Sequence, residues 1–284
     1  MSKQTMRATM ARAAGAVRRR LARGPIDEHV LSTYTSLRGG LFLLAALFPF
    51  LVVGLGLARG VDVQQSLSAY YFAFAGAGHC IEFPVRTLFT GALMAISVGL
   101  YLYKGFTARE NLLLNAAALF GLGVAFVPKG VDDALLASCA ILQPIRDAQG
   151  WWPYVHFTSA GLMFVCLAAV AWFCAGETLS YLPARHRDKE AGFRRRYKTI
   201  ALAMLGAIAA TLLLEWVLHE PRAILYGEAF GIWVFAWYWF EKTREMRLSH
   251  AEMVAVQHRQ DIDESPPDGQ GGPGLAGGEL LVHS

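Results

Sequence analysis

The chain has 284 residues, of which 55% are hydrophobic, 12% aromatic and only 17% charged, with a formal net charge of +4. This composition is typical of integral membrane proteins and excludes an ordinary soluble domain, whose surface needs more charged side chains. Membrane lipids are therefore the expected partners, and no nucleic-acid partner is expected.

The chain begins with a basic segment. The first 24 residues contain seven Lys and Arg residues and no acid. No hydrophobic run of the signal-peptide type follows before Gly40, so a cleaved signal is not expected. Residues 1–40 are predicted to form a cytoplasmic basic arm, either a disordered tail that fixes topology or a helix lying on anionic lipid.

Six apolar runs come next along the chain. About 20 apolar residues cross the hydrocarbon core of a bilayer as a helix. The runs lack the two-residue alternation of a membrane barrel. We therefore predict an all-α integral membrane bundle of six transmembrane helices over residues 41–240. The runs are Leu41–Ala58, Thr87–Tyr103, Leu112–Val127, Val155–Ala175, Thr199–Leu218 and Ala223–Phe240.

The basic residues predict the orientation of the bundle. With both termini in the cytoplasm, 21 of the 26 Lys and Arg residues fall on the inner side of these six spans. Positive residues favour the cytoplasmic side of short loops. The expected topology is N-in and C-in, and the expected location is the bacterial inner membrane as a multi-pass protein.

The C-terminal part divides in two. Residues 241–260 are predicted to form a cytoplasmic helical extension of the last span. Residues 261–284 are rich in Pro and Gly and poor in bulky apolar residues. Such a segment cannot bury enough apolar surface to fold, so it is predicted to be disordered.

Polar side chains gather near the predicted outer face, around Glu228 in the sixth span. Charges inside a span are costly and normally face the bundle interior. We expect Glu228 to meet Arg86 or His156, and we expect Glu215 and His219 to share a helical face because they are four residues apart. The candidate outer cluster is Arg86, His156, Ser159, Glu215, His219 and Glu228.

This outer cluster has several interpretations. It ties helices together, binds a proton or an ion, or carries out catalysis, in which case Ser159 beside His156 would form part of a hydrolase site. The ligand types that zinc takes are present, but their spacing matches no metal signature. No metal, haem or other cofactor is predicted, and the catalytic residues stay unknown.

Two further groups are predicted. Lys104, Asn111 and Asn115 form a secondary cluster near the inner face, where they are expected to cap and join helices. Cys80 and Cys139 each fall in an outer loop, and an oxidising exterior allows a disulfide between them.

Small residues recur four apart in several spans, for example Gly206 and Ala210, or Gly227 and Gly231. Such rows allow close approach of helix backbones. Packing within the bundle is the expected use, and homodimerisation through these faces is the alternative.

Several segments resemble a group of bacterial multi-span membrane proteins with domain-of-unknown-function and DRAM-like members. They cover roughly half of the chain. The resemblance implies a six-span bundle with polar positions at Arg86, Lys104, Asn115, His156, Ser159 and Glu228, and it implies no specific activity. The segments are SLSAYY, RTLFTGALMAISVGLYLYKG, ENLLLNAAALFGLGVAFVP, VHFTSAGLMF, RRRYK and YGEAFGIWVFAWYW.

Three function classes follow from these residues. The first expectation is an accessory or structural membrane bundle with an outward-side polar cluster. The alternatives are a proton- or ion-coupled small-molecule transporter and a membrane-embedded hydrolase that acts on lipid or on a periplasmic substrate. Transport would favour broken helices, yet Pro49 is the one proline inside a predicted span.

Overall fold

The computed structural model describes residues 25–76, 80–220 and 222–249. Most of the predicted basic arm and the whole predicted tail, residues 261–284, lie outside the described residues. Within the described ranges the chain is helical and contains no strand, which confirms the predicted all-α class.

Eight α-helices can be numbered in chain order over these ranges. Short 3-10 segments connect some of them, and a π-helical turn follows both α6 and α7. The helices are α1 Pro25–Ala58, α2 Arg86–Leu102, α3 Ala108–Phe126, α4 Asp133–Ser138, α5 Gln143–Ala148, α6 Trp152–Ala169, α7 Glu190–Leu213 and α8 Ala223–Ser249.

The six long helices form a ring. Each of them packs against its neighbours in the order α1, α2, α3, α6, α7 and α8, and the ring closes through the contact of α8 with α1. The buried core runs through its centre and includes Trp239, Leu100 and Leu114. The short helices α4 and α5 lie in the connection between α3 and α6.

Two helices continue across predicted domain boundaries. Helix α1 begins at Pro25 rather than near Leu41, so part of the predicted arm is continuous with the first span. Helix α8 continues to Ser249, and several of its last residues are buried instead of extending freely from the bundle. The remainder of the predicted extension, residues 250–260, lies outside the described residues.

The outward faces of the ring are apolar. All six long helices expose large hydrophobic side chains, for example Phe50, Tyr101, Leu119 and Leu205. Among the described residues, three helical stretches are long and apolar enough to cross a membrane: His29–Ala58, Trp152–Tyr181 and Ala184–Leu213. The helix Arg86–Leu102 is apolar but shorter.

Glycines allow several of the ring contacts. An added Cβ at Gly99 would lie 2.7 Å from Leu41, and one at Gly231 would lie 3.1 Å from Phe164. A Cβ at Gly227 would collide with Thr211. These small residues are used for packing within the bundle, whereas Gly206 has no atom within 4 Å of the Cβ position.

Candidate functional site

Glu228 on α8 binds the loop between α1 and α2. Its Oε2 accepts the backbone N–H of Leu67 at 2.6 Å, and its Oε1 accepts the hydroxyl of Ser68 at 3.2 Å. These two residues start the 3-10 turn Ser68–Tyr71. The half-buried carboxylate therefore satisfies amide and hydroxyl donors at the N-terminal end of this turn.

The loop that contains this turn also contacts α8 through a backbone hydrogen bond and α1 through an aromatic ring. The N–H of Leu225 donates to the carbonyl of Gln65 at 2.9 Å. The buried Tyr70 ring lies against Gly56, where an added Cβ would be 2.6 Å from the ring. Burial raises the pKa of the Tyr70 hydroxyl, so this group stays neutral at physiological pH. Glu228 thus belongs to an anchor for the first outer loop.

Arg86 lies in a different environment, among aromatic rings. Its Nε donates to the carbonyl of Tyr71 at 2.9 Å. Its guanidinium carbon lies 3.9 Å from the ring centroid of Phe83, 4.5 Å from that of Tyr71 and 5.1 Å from that of Phe72. Rings of this kind attract a guanidinium through their negative faces. Arg86 therefore fixes the start of α2 by cation–π contacts.

His156 and Ser159 join α6 to α3. The buried His156 has its Nδ1 2.6 Å from the carbonyl of Val127, which follows α3. An added Cβ at Gly123 would lie 2.7 Å from the Ser159 hydroxyl oxygen. Both polar groups thus lie at the interface of two neighbouring helices of the ring.

Glu215 and His219 do not share the predicted helical face. Residues Leu214–Leu218 form a π-helical turn, in which side chains four residues apart no longer align. His219 then leaves the helix in the left-handed conformation, with φ of +48°, and its side chain is exposed. The reason is the local unwinding of the helix at the end of α7.

The predicted single outer cluster is therefore divided into separate arrangements. Among the described residues, the printed hydrogen bonds join Glu228 to the first outer loop, Arg86 to Tyr71, and His156 to Val127. The expected pairing of Glu228 with Arg86 or His156 is not formed. The two oxygens of the Glu228 carboxylate instead accept the backbone N–H of Leu67 and the hydroxyl of Ser68.

A second polar cluster lies at the opposite end of the ring. Lys242 on α8 is fully buried, and its Nζ lies 3.2 Å from Glu245 Oε2 and 2.7 Å from Thr178 Oγ1. Glu245 is buried too and accepts the hydroxyl groups of Thr178 and Tyr197. A buried ion pair is tolerable when further hydrogen bonds satisfy both charges, as they do here.

A pair of arginines extends this second cluster toward the surface. Glu241, which is 3% exposed, binds Arg196 at 3.2 Å and Arg244 at 3.1 Å. Arg196 is on α7 and Glu241 is on α8, so the ion pair between these two residues joins the two helices. This cluster was not predicted from the sequence, although Lys242 and Glu245 stand three residues apart on one helix, a spacing that allows their side chains to pair.

The predicted secondary group, Lys104, Asn111 and Asn115, was expected to cap and join helices near this end of the ring. Lys104 is exposed, 5.3 Å from the Tyr101 ring centroid. Glu110, absent from the predicted group, is buried and accepts the N–H of Phe106 at 2.8 Å. Thr107 accepts the N–H of Glu110 at 3.2 Å and caps α3. The side-chain oxygens of Asn111 and Asn115 are buried without a hydrogen-bond partner in the described part of the chain.

A disulfide joins the two loops that were predicted to lie on the outer side. Cys80 and Cys139 are bonded, with their Cα atoms 5.9 Å apart. Cys139 packs in a small buried cluster with Phe72, Val131 and Leu142. The end of the ring that carries these two loops therefore has its own apolar core, held by a covalent cross-link.

Two cavities lie near these outer loops. The larger has a volume of 620 Å³ and is open to the surface, with Asp62, Gln65, Phe72 and Lys129 among its lining residues. The smaller, of 60 Å³, lies inside the ring beneath Glu228. Such a volume corresponds to about two water molecules, since each takes roughly 30 Å³ in the liquid.

No family model, curated protein or solved structure matches this chain. The resemblance to the DRAM-like group therefore stays a prediction. In the described residues no group of three or more His, Cys, Asp or Glu side chains is placed to hold a metal ion.

Proposed function

We propose that this chain is a six-span integral membrane protein of the inner membrane, with both termini in the cytoplasm, and that its role is that of an accessory or structural bundle. The observation that carries the proposal is the combination of apolar outward faces on all six long helices with polar groups paired inside the ring. Unpaired charges inside a bilayer would be costly.

The two polar clusters support the structural role. Glu228 holds an outer loop, and Lys242 with Glu245 holds the inner ends of α7, α8 and the segment that contains Thr178. The cavity inside the ring has room for water but not for a solute of ordinary size. This geometry favours a closed bundle over a transport path.

Reporter fusions test the placement in the membrane. Fusions after Lys198 and after Lys242 should both give a cytoplasmic signal, because both positions follow an even number of membrane crossings. A periplasmic signal from either fusion would refute the topology.

A deletion test addresses the role itself. Loss of an accessory bundle should lower the amount or assembly of other membrane proteins, measured by quantitative membrane proteomics. Expression of the Glu228→Gln variant at the wild-type level in the deletion strain should return those membrane proteins to their normal amount and assembly. A phenotype that Glu228→Gln fails to correct at that level would overturn the structural role.

The outer cavity favours a second candidate function, the binding of a small polar solute. Its volume lies in the range of ligand sites. Its lining offers a carboxylate at Asp62, an ammonium at Lys129 and an amide at Gln65 beside the Phe72 ring. Both the transporter and the hydrolase alternative require such an outer site.

A cavity-filling variant tests this candidate. Ala137→Trp fills the lining, while Ala184→Trp adds the same side chain on the inner side. The unfolding temperature of the purified protein should rise in the presence of one class of compound from a panel of amino acids and sugars. Of the two variants, only Ala137→Trp should abolish this rise. An absence of any shift for the wild-type protein would reject solute binding.

A further inference from the structure

A third cavity lies at the inner end of the ring, between α7 and the segment that follows α6. Its volume is 260 Å³. Two basic residues on α7, Arg194 and Lys198, line one side, and Trp172 with Phe173 line the other. Neither predicted cluster includes this cavity.

The basic residues are oriented by their neighbours. Lys198 Nζ lies 5.5 Å from the Trp172 ring centroid. Arg194 lies against Gly176, where an added Cβ would be 3.2 Å from its Nη1. The absence of a side chain at Gly176 therefore leaves space for the guanidinium at the mouth of the cavity.

The local charge balance leaves cationic groups for a ligand. Arg194 Nη2 forms an ion pair with Glu190 at 3.1 Å, and both partners are partly exposed to solvent. Glu177 also lines the cavity and is exposed to solvent, which screens its charge. Lys198 forms no ion pair in the described part of the chain. An anion can thus meet Lys198 and the remaining N–H groups of Arg194.

The face of α7 continues from these cations into apolar side chains. Arg194, Lys198 and Leu202 are spaced four residues apart, so they follow one another along a single face. Leu202 and Leu205 are exposed beyond the cavity, and Trp172 and Phe173 are exposed beside it. Aromatic residues in this position are typical of the boundary between lipid and water.

We propose that this cavity binds the phosphate of an anionic phospholipid. The phosphate contacts Arg194 and Lys198, and an acyl chain of the same lipid lies along Leu202 and Leu205. The apolar continuation favours a lipid over free phosphate, because a soluble ion would gain nothing from the leucines. The inference rests on the membrane placement in the proposed function, which sets this end of the ring at the cytoplasmic leaflet.

Lipid titration of the purified full-length protein tests the proposal. Native mass spectrometry in detergent should show one tightly bound phosphatidylglycerol and weaker binding of phosphatidylcholine. The double variant Arg194→Gln/Lys198→Gln should bind phosphatidylglycerol about tenfold more weakly, since each basic residue near a membrane surface contributes to anionic-lipid affinity. The control Arg185→Gln/Arg187→Gln removes the same charge from exposed positions of the same inner segment and should retain wild-type affinity.

Three results would overturn the proposal. One is equal phosphatidylglycerol affinity in the wild-type protein and the Arg194/Lys198 variant. Another is an equal loss in the Arg185/Arg187 control, which would indicate general charge attraction. The third is competition by inorganic phosphate at the same concentration as the lipid, which would indicate a soluble anion.

The variants are checked for folding by thermal unfolding, and Arg194→Gln and Lys198→Gln alone should each give part of the loss. A failure of the six-span placement would appear in the reporter fusions and would leave this titration in detergent unchanged.

Discussion

At the scale of single residues, Glu228 acts as a cap for a loop that is distant in sequence. Its two oxygens accept one backbone N–H and one hydroxyl at the start of a 3-10 turn. A carboxylate in such a position favours the nearby backbone donors through its charge. The residue is accepted in an apolar helix because it replaces the water that these donors would otherwise need.

Replacing Glu228 by Gln should reduce the free energy of unfolding by about 1–2 kcal/mol, because the amide keeps one acceptor and loses the charge. Thermal or denaturant unfolding in detergent measures the change. Glu215→Gln is the matched control, since it removes an acid near the same end of the ring without touching the loop. An equal loss in both variants would contradict the capping role.

Lys242 and Glu245 form the most deeply buried ion pair of the described residues. Lys242→Met should reduce the free energy of unfolding by about 3–5 kcal/mol, because it leaves the Glu245 charge buried without its partner. Adding Glu245→Gln to Lys242→Met should recover part of this loss.

The measurement for Lys242 is again unfolding in detergent, with Lys104→Met as control because Lys104 is exposed near the same end. A double variant less stable than Lys242→Met alone would mean that the pair is not the source of the effect.

At the scale of the helices, α7 and α8 approach closely at Gly227 and Thr211. Thr211 Oγ1 donates to the carbonyl of Ala207 at 2.7 Å, so its side chain is held in place at the contact. The helices can therefore pack here only because position 227 has no side chain.

Gly227→Ala should lower the free energy of unfolding by about 1–3 kcal/mol, since the extra methyl group forces the helices apart. Thr211→Ala should restore part of that stability in the double variant. Gly91→Ala is the control, because no atom lies within 4 Å of its Cβ position. A stabilising effect of Gly227→Ala would show that α7 and α8 separate at little cost.

At the scale of the whole molecule, the ring presents apolar surface on every long helix. Leu119 on α3 is 66% exposed and faces away from the bundle. In the proposed six-span arrangement, Leu119→Arg should sharply reduce membrane insertion, because an Arg at the centre of a span costs about 2.5–3.5 kcal/mol on insertion scales.

Membrane fractionation of the expressed protein measures this effect. Ile141→Arg places the same charge at an exposed position in the outer loop and should be inserted normally. Normal insertion of Leu119→Arg would mean that α3 does not face lipid.

The helical class and the positions of the long helices were predictable from sequence, because apolar runs and helical structure coincide. The partners of Glu228 were not predictable from sequence. Residues 66–68 have the pattern of an ordinary loop, and the contact joins positions about 160 apart in the chain. The buried inner cluster was missed for a related reason. Lys242 and Glu245 look like residues of a solvated helix end, and only the folded ring places Thr178 and Tyr197 beside them.

The closure of the ring by α1 and α8 has a consequence for biosynthesis. These are the first and the last long helices to leave the ribosome, because synthesis proceeds from the N-terminus. In the proposed six-span arrangement, the contact surfaces of α1 and α7 that face α8 stay uncovered until α8 is synthesised, and α8 carries Glu228, Lys242 and Glu245. Chains that stop before residue 223 lack these three residues, so the ring cannot close until translation is nearly complete.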